Sequence, residues 1–488
     1  MSARAAKAGK QGGVRLAALL LAACLAGCTS AGLLSPQVSS DAPKQAELSP
    51  AARREHTRIL AAYGGEYENP RLHALLTQTV DRLVAASDRP DLNYRITILN
   101  SPAVNAFALP NGQLYVTRGL VALANDTSEV ASVLSHEMAH VIARHAAIRE
   151  NQARRVALVD NVVNKVLSDP ETGALALAKS KIALASFSRA QEFEADGIGV
   201  GISARAGFDP YGAERFLTSM GRNAELKPAA GTGNDPFALD FLSSHPATPD
   251  RVKNATTNAR QHSAPGAGER DQSDYLAAIE GLVFGEDPSE GFVRGRRYLH
   301  PKLGFTFMAP EGFSLDNTAQ AVLGIKEGGA QALRLDVVRV PADQPLTDYL
   351  ASGWIENIDK TSVETVTVNG FPAATAIAKG DQWTFRLYAV RFGSEVYRFV
   401  FAAKHRSADS DRAFRDSIGS FRRMTLTEIE EAKPLRIKVV TVTPSDTPER
   451  LAARMAIADR PLQRFLVLNG LTPRHGLKPG DRVKIVTE

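Results

Sequence analysis

Cysteine is almost missing from this chain. Its 488 residues contain two, Cys24 and Cys28, both near the start. No disulfide framework can be built from them, so an oxidising compartment is neither required nor excluded. Long apolar runs are scarce as well. Leu16 to Leu25 is apolar but too short to cross a bilayer as a helix, and no later segment is apolar enough to span one. An excess of one charge is also missing, since 58 basic residues face 53 acidic ones. Four of the positive charges, Arg4, Lys7, Lys10 and Arg15, crowd the start with no acidic neighbour. Of the formal +5, about +1 therefore belongs to the remainder, which argues for no nucleic-acid partner. That remainder is ordinary globular material, long enough for two or three domains.

What is present is a short constellation, His136-Glu137-Met138-Ala139-His140. Histidines four residues apart share one helix face, so both imidazoles can hold one metal ion, and Glu137 can serve as general base toward a water in the site. Asp126 is placed to cap such a helix, Glu129 to close a capping box, and Val130, Val133, Leu134 and Val141 to form its apolar stripe. Alone, the pentapeptide also fits a surface helix with incidental histidines, so a third ligand is needed. Downstream, Ser188-Arg189-Ala190-Gln191-Glu192-Phe193-Glu194-Ala195-Asp196 supplies it. Glu192 would complete a His-His-Glu set with a fourth position open, and Asp196, four residues on, can accept a hydrogen bond from a ligand histidine's other ring nitrogen. By itself this pair would read as a solvated acidic face.

The two motifs together, with Asn105-Ala106-Phe107-Ala108-Leu109-Pro110-Asn111-Gly112 ahead of them, resemble the gluzincin metallopeptidases that include the CAAX prenyl proteases, HtpX and the Oma-type enzymes, the periplasmic BepA-type branch above all. The resemblance implies that His136, His140 and Glu192 bind one Zn²⁺ per chain, that Glu137 is the catalytic base, and that Asp196 braces a ligand. It also implies that Asn105, Ala106, Phe107 and Ala108 border the cleft, where they can pair with extended substrate; the same stretch also reads as a plain edge hairpin. His145 sits five residues beyond His140, about 140° round a helix, and is a structural or ligand-bracing histidine. His245, in Ser243-Ser244-His245-Pro246 with Arg251 following, resembles a late family motif. His245 and Arg251 would then stabilise the oxyanion, or His245 would fill the open zinc position in a resting state. A loop packing before a final helix is the plainer alternative.

The remaining segments are read in order. Residues 1–27 have the form of a signal peptide ending in Leu25-Ala26-Gly27-Cys28, which looks like a bacterial lipobox. Cys28 would then carry lipid, anchoring the protein to a periplasmic membrane face, the outer membrane being favoured by Thr29; an ordinary cleaved signal is the rival. Residues 28–46 read as a tether, 47–262 as the metallopeptidase domain, and 263–289 as a linker with a short helix. Residues 290–430 read as a small α+β domain, and 435–488 as a strand-helix-helix-strand tail resembling a LysM module, which would bind peptidoglycan. Val156 to Leu167 and Leu175 to Phe187 are helix-prone, and Lys227 to Pro236 is a Gly-, Ala- and Pro-rich loop. The fold class is thus α+β: a mainly helical domain with a small sheet, then the two further modules. The expected function is zinc-dependent endopeptidase action on misfolded or stalled envelope proteins; the alternative is a non-proteolytic chaperone or assembly factor on the same fold.

Overall fold

Asn69 starts the long helix that opens the motif-bearing part of the chain. Its side chain accepts from the Leu72 N–H, Pro70 opens the first turn, and Leu72, Leu76, Val80 and Leu83 bury one face of Pro70–Ala86. In this computed structural model the residues described are 48–149, 151, 188–226, 241–319, 321–352, 355, 357–380, 382–472 and 476–488. The expected leader, Cys28 and tether, the segments 156–167 and 175–187, and the loop 227–236 lie outside them. Residues 54–488 make one unit; of 1–53, residues 48–53 are described, and Pro50 begins the helix Pro50–Ala62.

A three-stranded sheet follows. Arg95–Leu99 pairs in parallel with Gln113–Thr117, and Ala106–Ala108 pairs antiparallel with the other side of Gln113–Thr117. Ala106–Ala108 is therefore an edge strand. Gly112, at φ 84°, makes the turn between the two.

Helix Thr127–Ile142 is the centre of the fold. Asp126 caps it as expected, accepting from the Glu129 N–H. Glu129 does not close the expected capping box. Its carboxylate accepts instead from the Asn125 N–H at 2.9 Å and meets the Arg215 guanidinium at 3.3 Å. Every residue from Thr127 to His140 is buried, so the helix is surrounded rather than laid on a surface by one stripe. Helices Arg189–Arg205 and Gly212–Glu225 pack against it, and Pro249–His262 packs on both of those. Gly199 is what lets Arg189–Arg205 approach: a Cβ there would come within 2.9 Å of the His136 backbone nitrogen. That contact sets the distance between the helices carrying the two motifs.

The middle of the chain forms an all-antiparallel seven-stranded sheet, in the order Ile358–Val368, Phe371–Lys379, Thr384–Phe392, Glu395–Ala403, Gln331–Val338, Val322–Lys326 and Phe313–Asn317. Asn369 and Gly370 turn its longest hairpin with φ 46° and 84°, the left-handed pair a two-residue turn requires. Helix Ala408–Gly419 covers one face, burying Phe414 and Ile418 against Phe399, Phe401 and Phe421. Leu346–Ala351 covers part of the other through Leu350. A four-stranded sheet, Phe292–Arg294, Arg297–His300, Phe305–Met308 and Arg422–Arg423, was not anticipated from sequence.

The tail has the order Leu435–Thr441, Pro448–Ala453, Pro461–Leu468 and Arg482–Thr487, with its strands antiparallel. It shares a core with the motif helix: Ile437, Val467, Leu468 and Val486 pack into the cluster that holds Leu134 and Met138. Lys484 is fully buried and donates to the carbonyls of Ala122, Leu123 and Ala124 at 2.8, 3.1 and 2.6 Å. Three acceptors take all three ammonium hydrogens, so a cation from the tail caps the helix just ahead of the motif helix. The mixed α+β class expected from sequence therefore holds, and among the described residues no helix is long and apolar enough to cross a membrane.

Candidate metal centre

The two motif helices bring their side chains to one point. His136 Nε2 lies 3.1 Å from His140 Nε2 and 3.6 Å from Glu192 Oε2, while His140 Nε2 is 3.5 Å from Glu192 Oε1. His245 joins them from the turn after Phe241–Ser244, its Nδ1 2.8 Å from Glu192 Oε1 and 3.4 Å from His136 Nε2. All four residues are buried. A tetrahedral ion with bonds of about 2.0–2.1 Å separates its ligand atoms by about 3.3–3.4 Å, close to these spacings.

The chemistry of the donors agrees. Burial pulls the imidazoles of His136 and His140 down from the ordinary histidine value and that of His245 down to about 3; the Arg251 guanidinium helps at all three and neighbouring imidazoles at His140, while Asp196 opposes the fall at His136 and His245. All three rings are thus neutral, with a lone pair to offer. Ring nitrogens 3.1 Å apart are reconciled either by an N–H on one donating to the other or by a cation held between two lone pairs. Burial raises the Glu192 carboxyl, opposed by His136 and Arg251, so this carboxylate also gains from a nearby positive ion. The set fits Zn²⁺.

Glu137 stands beside the cluster and outside it. Its carboxylate accepts from the Ala108 N–H in the edge strand, and its Oε1 is buried without a hydrogen-bond partner, 3.7 Å from His245 Nε2. Burial, reinforced by the Glu192 charge, raises it well above the usual carboxylate range. Asp196 sits behind the ligands, its Oδ1 3.0 Å from His136 Nδ1, off the ideal hydrogen-bond line. Burial would raise Asp196, but the hydrogen bonds from Arg251 and the nearby His136 ring prevail and bring it down to about 2.

The structure places the remaining candidates as follows. Asn105 is buried and donates through its side chain to the Tyr63 hydroxyl at 3.0 Å, while Ala106, Phe107 and Ala108 form the edge strand next to Glu137. Arg251 reaches Asp196 through Nε and Nη2 at 2.9 and 2.7 Å, and Glu192 through Nη1 at 2.7 Å. The guanidinium expected to face an oxyanion is thus committed to two carboxylates. The fourth position, expected to be open, has the His245 ring beside it. Gly199 was overlooked, although glycines at 197, 199 and 201 in a helix-prone stretch were a signal of close packing.

Known proteins share this part of the chain. Residues 70–259 match Peptidase family M48. The mitochondrial metalloendopeptidase OMA1 of Schizosaccharomyces pombe is 30% identical over 207 residues, 41% of this chain and 58% of that protein. The beta-barrel assembly-enhancing protease of Yersinia pestis is 30% identical over 202 residues, 38% of this chain and 40% of that one. The protein of that name from Escherichia coli K12 is 29% identical over 221 residues, 43% and 44% of the two chains. The chain thus spans about half the length of these curated relatives. The match contains both motif helices and the His245–Arg251 segment, so it is the metal-centre part of the chain, residues 70–259, that is similar to peptidase family M48.

Proposed function

We propose that this protein is a zinc-dependent endopeptidase that cleaves unfolded or misassembled proteins of the cell envelope. The observation that carries the reading is the convergence of His136, His140 and Glu192 from two helices onto one buried point, with Glu137 alongside. Bound there, zinc supplies a Lewis acid that activates water and polarises a carbonyl. Glu137 takes the proton from the attacking water and returns it to the leaving amine. The edge strand Ala106–Ala108 offers backbone partners to an extended substrate next to that base. An unfolded chain offers such a segment without first being unpaired from its own fold, which favours unfolded clients.

The envelope assignment rests on the leader ending at Cys28 and on the relatives named beta-barrel assembly-enhancing protease. Lipid on Cys28 would hold the enzyme at the periplasmic face of the outer membrane, and the tail, by its resemblance to LysM, would bind peptidoglycan. The alternative is a chaperone or assembly factor that holds clients without cutting them. Unfolded casein separates the two. Metal-loaded protein is expected to cleave it, a chelator to stop cleavage, and stoichiometric Zn²⁺ to restore it. Binding of casein without any cleavage in the loaded protein would favour the alternative.

The position of His245 supports one of its two expected roles. Its Nδ1 lies among the ligand atoms, at 2.8 and 3.4 Å, whereas its Nε2 is 3.7 Å from the Glu137 carboxylate. This geometry favours a resting state in which His245 competes for the fourth position. His245→Ala is expected to raise basal casein cleavage several-fold, by about 1 kcal/mol of lost competition. A fall of similar size in kcat would assign His245 to the oxyanion instead.

A further inference from the structure

His145 has no part in the reaction described above, yet it is buried and touches a ligand. The motif helix ends at Ile142, and Arg144 adopts φ 55°, a left-handed turn that a non-glycine residue takes only at a cost. A continued helix would carry position 145 away from position 140. The turn instead returns the imidazole to the ligand, with His145 Nδ1 2.9 Å from His140 Nδ1. Its Nε2 lies 3.3 Å from Oε2 of Glu194, on the third-ligand helix. His145 is not itself a ligand, because it meets His140 on the ring nitrogen opposite the one that faces the cluster.

The protons on these rings have one consistent arrangement. When His140 Nε2 lends its lone pair to a cation, the ring's proton must sit on Nδ1. That N–H donates to His145 Nδ1, which must then be bare. The His145 proton is left on Nε2, where it donates to the Glu194 carboxylate. The chain thus ties the end of one motif helix to the start of the other. The side chain of Glu194 is 58% exposed, so the tie ends at solvent.

We propose that His145, anchored by Glu194, is the positioning residue that locks the tautomer and ring orientation of His140, standing behind that ligand where Asp196 stands behind His136. The inference rests on the metal-centre reading above, and the test separates the two. Zn²⁺ affinity is measured by competition with a chromophoric chelator for wild type, His145→Ala and Glu194→Ala, together with the visible spectra of the Co²⁺-loaded proteins. Loss of a hydrogen-bond partner behind a metal-binding histidine weakens affinity by about 10–100-fold. That range is expected for His145→Ala, with altered Co²⁺ bands at saturation. About threefold to tenfold is expected for Glu194→Ala, whose exposed site does not threaten folding. Wild-type affinity and spectra in Glu194→Ala and in any folded His145→Ala would overturn the relay alone. Failure of the wild type to bind one ion would overturn the metal centre itself.

Discussion

Glu137→Gln is expected to lower casein cleavage by about 10²–10⁴-fold, the usual worth of a positioned general base, while the protein keeps one metal ion per chain. The two halves of this result come from separate features of the site. Glu137 is not among the four residues whose atoms converge, so its loss should leave ion binding intact. Its side chain does hold a buried oxygen with no hydrogen-bond partner, beside the edge strand where substrate would lie. A carboxylate placed this way, and raised by burial and by the Glu192 charge, is suited both to take a proton and to give it back. The amide keeps the shape and can still accept from the Ala108 N–H, but it cannot accept a proton from water. Removing a charge beside Glu192 also relieves repulsion, so the melting temperature of the variant should equal or exceed that of wild type. Cleavage at the wild-type rate with bound metal would exclude Glu137 as the base.

The features legible in the sequence were those fixed by local geometry. The i, i+4 histidines and the Asp126 cap each depend on a few neighbouring residues. The motif helix was read as having one apolar stripe because periodicity registers only large apolar residues. Its other faces are filled by Ser128, Ala131, Ser132, Ser135 and Ala139, whose small side chains allow close contact on every side. Glu129 was read as part of a capping box because Arg215, which draws its carboxylate away, arrives from 86 residues later in the chain. His245 and Arg251 were recognised as site residues, but their jobs depend on which atoms they meet across more than 50 residues of sequence. The burial of Lys484 against the Ala122–Ala124 carbonyls had no local signature, since a lysine in a tail strand normally faces water.

Replacing Arg251 is expected to cost stability more than chemistry. Its guanidinium, 3% exposed, lies between Asp196 and Glu192 with three contacts of 2.7–2.9 Å. Arg251→Met retains the volume and leaves two carboxylates buried without their counter-ion. Removing one partner from such a group costs about 3–5 kcal/mol, measurable as a fall in the denaturant midpoint of metal-free protein. Bound Zn²⁺ can supply part of the missing positive charge, so the stability gap between metal-free and metal-loaded protein should widen in the variant. Arg251→Lys keeps the charge without the fork and should recover only part of the loss. The acid limb gives an independent check. In wild type the Asp196 carboxyl is held at about 2 against an ordinary 3.8. Its contribution is therefore fully present above about 4 and lost as the pH falls through about 2. Without Arg251 that depression shrinks, and stability should depend less on pH across this window. If Arg251 served the oxyanion instead, the variant would lose kcat and keep both its denaturation midpoint and its acid limb.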